Sequence, residues 1–536
     1  MPVFEFKSEF MKNATFIIAI ILLFSSKIVG QSTFNKRFLF GYPVAALGSV
    51  LPTDSCYYAT GIIVDSVWPF LVGNIFVKFD LEGKELFNKP LVSANKYYNT
   101  WVGDLIATED GNLLDIGQIT DSLYRGIIIK YNTYGDTVQT REYLSPYFPQ
   151  TDFIVPYQVI QDSTGKIVVL NAIAKPNTDN DLSISIFDSQ LNLISHKIYG
   201  NQLEELPGNE FLQKDDGYVV GANRTNYGQQ WQNLTSRTYI FKVDSTGEKE
   251  WEYLSPAGII QDIAQGIANS PDGGLVVASS KGYEHVINPT SSQIRWQSAY
   301  FFKLDENQQV VWDLEVFDSI RPSPGNEISR LISVDAGAAY IAAGKFNMIR
   351  SLDPPVGGTF GWLFKISDDG ALIWTRKYQL LEAVGHTHKF FDLKQTSDGG
   401  FILAGEIRGN FGPGEPQLQA WLLKLDSHGC LVPGCEANDT VSTVGQAVRG
   451  VPELAIYPNP ASDYLNFQVR GAQPTTGQVR FRILDAGGRE VKSFLAHGLR
   501  DTFIVPVWDW AAGVYFLHYQ DEARRGAVEK FVIVKR

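Results

Sequence analysis

The chain has 536 residues, too many for a single ordinary core, which predicts two to four domains or one large repeat architecture. Its 48 glycines and 25 prolines, set against three methionines, are typical of many strands joined by tight turns. The net charge is −12 and no dense Lys/Arg run interrupts it, which argues against nucleic acid as a partner, because phosphate binding needs a cationic surface.

The first 30 residues predict a signal peptide. A short basic segment, Met11-Lys12-Asn13, precedes an apolar run from Ala14 to Phe24, and small residues near Gly30 offer a cleavage site. The apolar run is too short to span a bilayer, which takes about 20 residues. An amphipathic or buried first helix is the alternative. Met11 is a better initiator than Met1, and no other segment is apolar enough for a transmembrane span in the mature chain.

The middle of the chain repeats a half-unit in which a strand ends in Lys-x-Asp, a turn ends in Gly, and the next strand often contains Trp. Phe241-Lys242-Val243-Asp244-Ser245-Thr246-Gly247 with Trp251 is a clear copy. The lysine position recurs at residues 78, 130, 186 (a degenerate copy), 242, 303, 365 and 424. This spacing of about 50 to 60 residues houses four strands and their loops, the size of a propeller blade.

A second half-unit reads Asp-Gly-Gly followed by an apolar strand, most clearly in Asp398-Gly399-Gly400-Phe401-Ile402-Leu403. Asp-Gly favours the positive-φ turn of a β-hairpin, and the alternating or short apolar runs beside it predict strands. Related segments lie near residues 54, 110, 164, 216, 272 and 336.

The two half-units together predict an all-β fold with a seven-bladed β-propeller over residues 35–435. The chain opens with an Asp-Gly half near Asp54 and closes with a Lys-x-Asp half at Lys424, so we expect one blade to be assembled from both ends. Six blades, eight blades or two smaller propellers are the alternatives. The repeats resemble Asp-Gly-Gly propellers of Bacteroidetes, and the Trp-containing copies are similar to quinoprotein dehydrogenase repeats, whose tryptophans dock neighbouring blades.

The repeat stops after residue 435. Residues 436–454 are polar and patternless, as in a linker. The last 81 residues, 456–536, contain 11 Lys/Arg and 8 Asp/Glu, so the rest of the chain carries −15. This composition change predicts a separate domain over residues 455–536.

Four elements in the last domain carry a family resemblance. They are Tyr457-Pro458-Asn459-Pro460, a Leu484–Val491 hairpin with Asp-Ala-Gly-Gly, Gly513-Val514-Tyr515, and a basic terminus with Lys530 and Lys535. In this order they resemble the type A C-terminal sorting domain of the Bacteroidetes type IX secretion system. The resemblance implies a partner in that secretion machinery, export, removal of the tag, and release or attachment to the cell surface.

The residues themselves predict a small β-sandwich for this domain. Pro458 and Pro460 cannot lie inside a central strand, so an extended lead-in precedes a series of alternating strands. An ordinary Ig-like adhesion domain is the alternative to a sorting domain.

Two of the three cysteines, Cys430 and Cys435, flank a Pro-Gly turn, and an exported chain is oxidised. We expect them to form a disulfide. Two unpaired thiols, or a bridge between Cys56 and Cys430, are the alternatives.

Two groups of residues are candidates for a metal site. His386 and His388 share one face of a strand, with Asp392 nearby. No third ligand accompanies them, so solvated histidines are the simpler interpretation, and we predict no metal and no cofactor. Five carboxylates before the Asp-Gly turns could line a channel, but capping and solvation explain them more simply: Asp104, Glu210, Asp262, Glu327 and Asp392.

The sequence contains no Gly-x-Ser-x-Gly elbow, His-Glu-x-x-His or Walker loop. The favoured hypothesis is therefore a secreted or surface-attached binding or scaffold propeller whose ligand is a glycan or a surface protein. The alternative is an exported enzyme, either a polysaccharide hydrolase or lyase or a quinoprotein. A cluster of titratable side chains at the propeller centre would favour the enzyme.

Overall fold

The computed structural model is all-β over two stretches of the chain. It describes residues 32–65, 70–100, 104–121, 123–144, 146, 153–174, 180–200, 204–226, 235–256, 261–285, 294–316, 326–352, 355–381, 385–409, 417–435, 453–457, 459–461, 464–470, 478–497, 503–520 and 526–535. The predicted signal peptide, the linker up to residue 452 and Pro458 lie outside these ranges.

Strands β1 to β29 form five sheets: one of eight strands, one of nine and three of four. Their bounds are β1 Phe34–Phe38, β2 Val44–Pro52, β3 Tyr57–Val64, β4 Val72–Phe79, β5 Glu85–Leu91, β6 Tyr97–Asn99, β7 Leu105–Ala107, β8 Leu113–Thr120, β9 Tyr124–Tyr131, β10 Thr137–Tyr143, β11 Phe153–Gln161, β12 Ile167–Ala174, β13 Asn180–Phe187 and β14 Leu193–Tyr199. They continue with β15 Glu204–Lys214, β16 Gly217–Asn226, β17 Thr235–Val243, β18 Lys249–Leu254, β19 Gln261–Asn269, β20 Leu275–His285, β21 Ile294–Leu304, β22 Val310–Val316, β23 Glu327–Val334, β24 Ala339–Leu352, β25 Pro355–Ser367, β26 Leu372–Tyr378, β27 His386–Gln395, β28 Phe401–Gly409 and β29 Leu418–Leu425.

Each of the two large sheets consists of two antiparallel meanders joined by one parallel bridge. The bridges are Val44 to Leu418 and Phe153 to Tyr124. Dividing the sheets there gives seven meanders in chain order: β2–β5, β6–β10, β11–β14, β15–β18, β19–β22, β23–β26 and β27–β29. We number them meanders 1 to 7.

The outer strand of meander 7 comes from the other end of the chain. Strand β1 pairs antiparallel with β29, from Phe34 opposite Lys424 to Phe38 opposite Ala420. The sequence analysis assigned this role to the half-unit near Asp54. In the structure, β3 of that half-unit pairs with β2 and β4 inside meander 1. The difference arises because β1 has no turn motif of its own to mark it as a strand of the repeat.

The residues of the Lys-x-Asp and Asp-Gly motifs form the same side-chain contacts in several meanders. In the Lys-x-Asp half, Asp244 Oδ1 accepts hydrogen bonds from the Thr246 and Glu248 backbone N–H groups at 2.8 and 2.9 Å and so fixes the turn. The Lys then pairs with a carboxylate of the Asp-Gly turn in the same meander. These pairs are Lys130–Asp110 at 2.5 Å, Lys242–Asp215 at 3.3 Å, Lys303–Asp272 at 2.8 Å, Lys365–Asp335 at 2.7 Å and Lys424–Asp398 at 3.0 Å.

Neighbouring meanders pack through aromatic rings placed on turn glycines. Trp312 of meander 5 covers Gly370 of meander 6, where an added Cβ would lie 2.6 Å from the indole. The indole Nε1 also donates to the Asp368 carbonyl at 2.9 Å. Phe34 covers Gly83 in the same way, so β1 ties meander 7 to meander 1. Only glycine admits such close approach of a ring to the backbone.

The C-terminal module contains two sheets around one hydrophobic core. The sheet orders are β30-β31-β34 and β33-β32-β35-β36. The core includes Phe467, Phe481, Leu517 and Phe531. The strands are β30 Glu453–Tyr457, β31 Tyr464–Arg470, β32 Gln478–Asp485, β33 Glu490–His497, β34 Phe503–Pro506, β35 Gly513–Gln520 and β36 Gly526–Ile533. In the part of the chain that the structure describes, no helix is long and apolar enough to cross a membrane.

Candidate functional site

The first strands of the meanders contain β-bulges that aim polar side chains toward one another. Ser49, Arg330 and Asp392 each directly follow a register shift, in β2, β23 and β27. Together with Asp104 and Lys394 they form what we call the inner cluster. Its members come from meanders 1 and 2 and from meanders 6 and 7, two pairs that lie far apart in sequence.

Asp392 is the most enclosed member of the inner cluster. Its Oδ2 accepts hydrogen bonds from Ser49 Oγ and from the Val50 backbone N–H, both at 2.9 Å. Ser49 Oγ in turn accepts from the Leu105 N–H at 2.9 Å. The carboxylate and the hydroxyl thus link meander 7 to meander 1 and meander 1 to meander 2.

Two cations bridge the two carboxylates of the cluster. Arg330 lies 3.2 Å from Asp392 Oδ1 and 3.6 Å from Asp104 Oδ1, and Lys394 Nζ lies 3.6 and 3.5 Å from the same two oxygens. The side chains of Asp104, Arg330 and Asp392 are at most 3% exposed, whereas that of Lys394 is 28% exposed. Lys394 is therefore the member that reaches solvent.

The two cations of the inner cluster influence the protonation state of Asp392. Burial opposes ionisation of Asp392, but Lys394 and Arg330 outweigh it and hold the pKa of this carboxyl below its ordinary value. An ionised carboxylate that two cations and a backbone N–H already hold is a poor general acid. The cluster is better suited to holding its meanders together and presenting one ammonium group.

Lys394 departs from the repeat. Five residues before each turn glycine, the other copies place an aliphatic residue: Ile106, Ile160, Leu212, Ala268 and Ile332. Of meanders 2 to 7, only meander 7 has a lysine, Lys394, at that position. A departure from a repeated local rule is expected at functional or strained sites.

The predicted carboxylate set is brought together only in part. Asp104 and Asp392 meet in the inner cluster, while Glu327 pairs with Lys389 at 2.6 Å and Lys345 at 3.4 Å. The side chains of Glu210 and Asp262 lie outside the described residues. The sequence analysis missed Arg330, although it stands seven residues before Gly337, at the same offset as Asp104 from Gly111 and Asp392 from Gly399.

Both ring nitrogens of His388 form hydrogen bonds with backbone groups. Nδ1 donates to the Thr359 carbonyl at 2.7 Å, and Nε2 accepts from the Leu380 and Leu381 N–H groups at 3.3 and 3.4 Å. Burial lowers the pKa of His388 to about 4. His386 is only partly buried and pairs with Gly409. Among the described residues, no three His, Cys, Asp or Glu side chains are grouped to hold a metal ion.

A second buried polar cluster joins meanders 1 and 2. Asp115 accepts hydrogen bonds from Thr60 Oγ1 at 3.0 Å and Asn74 Nδ2 at 2.9 Å, and Tyr131 donates to Asn74 Oδ1 at 2.6 Å. Burial raises the pKa of Asp115 to about 8, although the hydrogen bonds from Thr60 and Asn74 oppose this shift.

The disulfide loop lies beside β1, the strand that completes meander 7. Cys430 and Cys435 form a disulfide with Cα atoms 5.6 Å apart, and Cys56 is a buried free thiol. Inside the disulfide loop, the Leu431 carbonyl accepts a hydrogen bond from Thr33 Oγ1 at 2.6 Å. Thr33 immediately precedes β1, so the loop also anchors the N-terminal end of the chain.

The predicted sorting-motif residues converge on the last strand. Asn459 Oδ1 accepts from the Val532 N–H at 2.9 Å, and Asn459 Nδ2 donates to the Lys530 carbonyl at 3.2 Å. Two residues on, Ala461 exchanges backbone hydrogen bonds with Val532 and Val534 at 2.7 and 2.9 Å. Pro460 and the Lys530 side chain are exposed.

The Gly513-Val514-Tyr515 element meets the same strand from its other side. Gly513 pairs with Ile533, and the Tyr515 ring stacks on Phe531 with centroids 5.6 Å apart. The Tyr515 hydroxyl donates to the Ala511 carbonyl at 2.8 Å. Lys535 lies exposed beyond the strand, and the Tyr457 side chain lies outside the described residues.

Comparison with known proteins identifies the C-terminal module. Residues 455–535 match a family model described as a secretion system C-terminal sorting domain. This domain indicates export to the cell surface or into the medium, through the secretion machinery that recognises it. A search of curated proteins finds no match.

Solved structures similar to the chain include a β-propeller and polysaccharide-acting enzymes. A polysaccharide lyase of family PL25, an ulvan lyase, is 9% identical with a TM-score of 0.47, over 73% of this chain and 96% of its own. The GH93 α-L-arabinofuranosidase of Fusarium graminearum is 10% identical with a TM-score of 0.40, over 75% and 100%. The β-propeller domain of the Trilobed protease from Pyrococcus furiosus is 9% identical with a TM-score of 0.35, over 70% and 93%. At these values the similarities do not indicate a substrate.

Proposed function

We propose that the seven meanders are the blades of one closed β-propeller over residues 35–435 and that residues 455–536 form an Ig-like sandwich. One strand of each meander contacts the corresponding strand of the next, in the order β2, β7, β11, β15, β19, β23 and β27, and β27 contacts β2. Strand β1, shared between the two ends, supports closure. Electron-microscopy class averages of the purified chain should show a ring with seven blades; six, eight or two rings would contradict the proposal.

The proposed function of this propeller is that of a binding or scaffold module outside the cell, with a glycan or a surface protein as its ligand. Export rests on the sorting domain. A leader at residues 1–30, with Met11 as initiator, and a linker at residues 436–454 complete the proposed organisation. The chain would reach its ligand as a secreted or surface-attached protein.

The observation that favours binding over catalysis is the charge balance of the inner cluster. Asp104 and Asp392 each lie within 4 Å of Arg330 and Lys394, and the pKa of Asp392 is lowered from its ordinary value. Acid–base catalysis by paired carboxylates needs one of them to hold a proton near neutral pH. Lys394, partly exposed, is suited instead to donate hydrogen bonds to a ligand oxygen.

An exported enzyme acting on polysaccharides is the second candidate. It is favoured by the gathering of four titratable side chains from meanders 2, 6 and 7 at one place, an arrangement that active sites share. A ligand that displaced Lys394 from Asp104 would free a carboxylate for chemistry.

An array of glycans and polymers, read for both binding and turnover, tests the two candidates with the purified chain. We expect binding without turnover, and a Lys394→Met variant that loses about tenfold in affinity, the worth of one charge-assisted hydrogen bond. Lys89→Met, on an outer strand, is the matched control. Turnover that Asp104→Asn abolishes would establish the enzyme, and binding that Lys394→Met leaves intact would place the ligand elsewhere.

A further inference from the structure

The last strand of the sorting domain has an edge that the sheet itself leaves unpaired. In the described residues, β36 is the terminal strand of its sheet and pairs on one side only, with β35. Its other edge presents the Lys530 carbonyl, both backbone groups of Val532 and the Val534 N–H. An open edge of this kind pairs readily with other chains unless something covers it.

Residues 459–461 cover that edge. The side-chain amide of Asn459 forms the two hydrogen bonds that the backbone of a neighbouring strand would form. It accepts from the Val532 N–H and donates to the Lys530 carbonyl. Ala461 then continues the pairing in parallel with Ile533. All four outward backbone groups from Lys530 to Val534 are thereby hydrogen-bonded.

Covering the edge of β36 in this way requires an asparagine side chain at position 459. Asn carries a donor and an acceptor on one planar amide, so it satisfies a carbonyl and an N–H together, which Ala cannot do. Asn459 is itself exposed, so no packing requirement explains it. Ala461, by contrast, is fully buried in the module's core, which fixes the lead-in segment against the strand.

We propose that Asn459 is a positioning residue for export: it holds the terminal strand in register so that residues 530–535 are presented in one fixed arrangement. The sorting signal is then a composite of two segments about 70 residues apart in sequence. The strand keeps Phe531 and Ile533 in the core and turns Lys530, Val534 and Lys535 outward. This inference rests on the export role of the sorting domain and not on the ligand of the propeller.

The test compares Asn459→Ala with Arg482→Ala in the full chain, expressed in a host with type IX machinery. Arg482 is the control because it lies in the same module, on β32, outside the four elements that carry the family resemblance, and its exposed side chain also forms a hydrogen bond, to Glu490 at 2.7 Å. Hydrogen exchange at Val532 and Val534 should accelerate about tenfold in the Asn459 variant and stay unchanged in the control.

Surface delivery should follow the exchange result. We expect Asn459→Ala to lose about tenfold of its surface-exposed protein, and Asn459→Asp, which keeps the acceptor but faces the Lys530 carbonyl with an oxygen, to lose as much. Arg482→Ala should be delivered normally. Equal losses in both alanine variants, or normal delivery of Asn459→Ala with fast exchange, would overturn the proposal. Delivery of a chain truncated after residue 452 would overturn the export role itself.

Discussion

At the scale of single residues, Asp392 is a fully buried carboxylate. Its charged neighbours determine how much it contributes to the free energy of unfolding. Replacing it with Asn leaves Arg330 and Lys394 with one carboxylate between them, and breaking a buried ion pair by removing one partner costs about 3–5 kcal/mol. We predict that Asp392→Asn lowers the free energy of unfolding in urea by about 3 kcal/mol. Asp136→Asn, at an exposed carboxylate paired with Lys89, is the control and should change it far less.

Asp115 should make stability depend on pH in the opposite sense to a paired carboxylate. Its folded pKa of about 8 lies above the ordinary value of 3.8, so its contribution is complete below pH 3.8 and is lost as the pH rises through 8. Between pH 6 and 8 this loss amounts to at most about 1.4 kcal/mol per pH unit. Urea unfolding at both pH values should show the loss, and Asp115→Asn should remove it. An unchanged slope in the variant would contradict this assignment.

The sequence could indicate the polar positions of the inner cluster but not their pairing. Asp104 and Asp392 share one offset from their turn glycines, which is readable from the repeat. Their partner Arg330 occupies the same offset from Gly337, but no local motif marks an arginine as the partner of carboxylates in other repeats. That residues from meanders 2, 6 and 7 meet depends on contacts between strands that are distant in sequence, which no local pattern encodes.

Strand β1 is the element whose removal should affect the propeller most. The Phe34 ring is buried against Gly83, and large-to-small changes of buried Phe cost about 3–5 kcal/mol. We predict that Phe34→Ala destabilises the protein by about 3 kcal/mol and makes the N-terminal end sensitive to protease. Phe70→Ala, at a ring that is 49% exposed, is the control. Equal stability of the two variants would mean that β1 is not part of the cooperative unit.

The disulfide loop should contribute to the stability of the fold, in part through the hydrogen bond between Leu431 and Thr33, the residue that precedes β1. A closed loop of six residues stabilises a fold by about 2 kcal/mol in the chain-entropy model. We predict that Cys430→Ser with Cys435→Ser lowers stability by about that amount and frees the end held by the Thr33–Leu431 hydrogen bond. Thr33→Val in the oxidised protein should reproduce the protease sensitivity without the loss of the bridge. If it does not, the loop and β1 act independently.

At the scale of strands and turns, the sequence predicted the hairpins because each motif fixes its own turn. Asp244 and its equivalents cap the backbone two and four residues on, a local effect that needs no tertiary information. Strand β1 was not predicted, since Phe34-Asn35-Lys36-Arg37-Phe38 has no turn of its own and pairs only with residues almost 400 positions away.

For the whole molecule, the proposed closure through meander 7 makes a prediction about circular permutation. Strand β1 runs antiparallel to β29, and Thr33 already contacts Leu431 in the segment that follows β29. Moving residues 32–40 to a position after Cys435, through a Gly/Ser linker of about eight residues that spans up to roughly 27 Å, would make meander 7 continuous. The leader would then join residue 41, and the sorting domain would follow the moved segment.

We predict that this permutant folds and unfolds with a midpoint close to that of the parent chain, because every strand keeps its neighbours and only the connection changes. The control is the same chain lacking residues 32–40, which leaves the outer edge of β29 unpaired and should aggregate or unfold at a lower temperature. Thermal unfolding followed by circular dichroism, with size-exclusion chromatography, distinguishes the two. A permutant that behaved like the deletion would show that covalent continuity from β1 to β2 is required, and closure by strand pairing alone would be wrong.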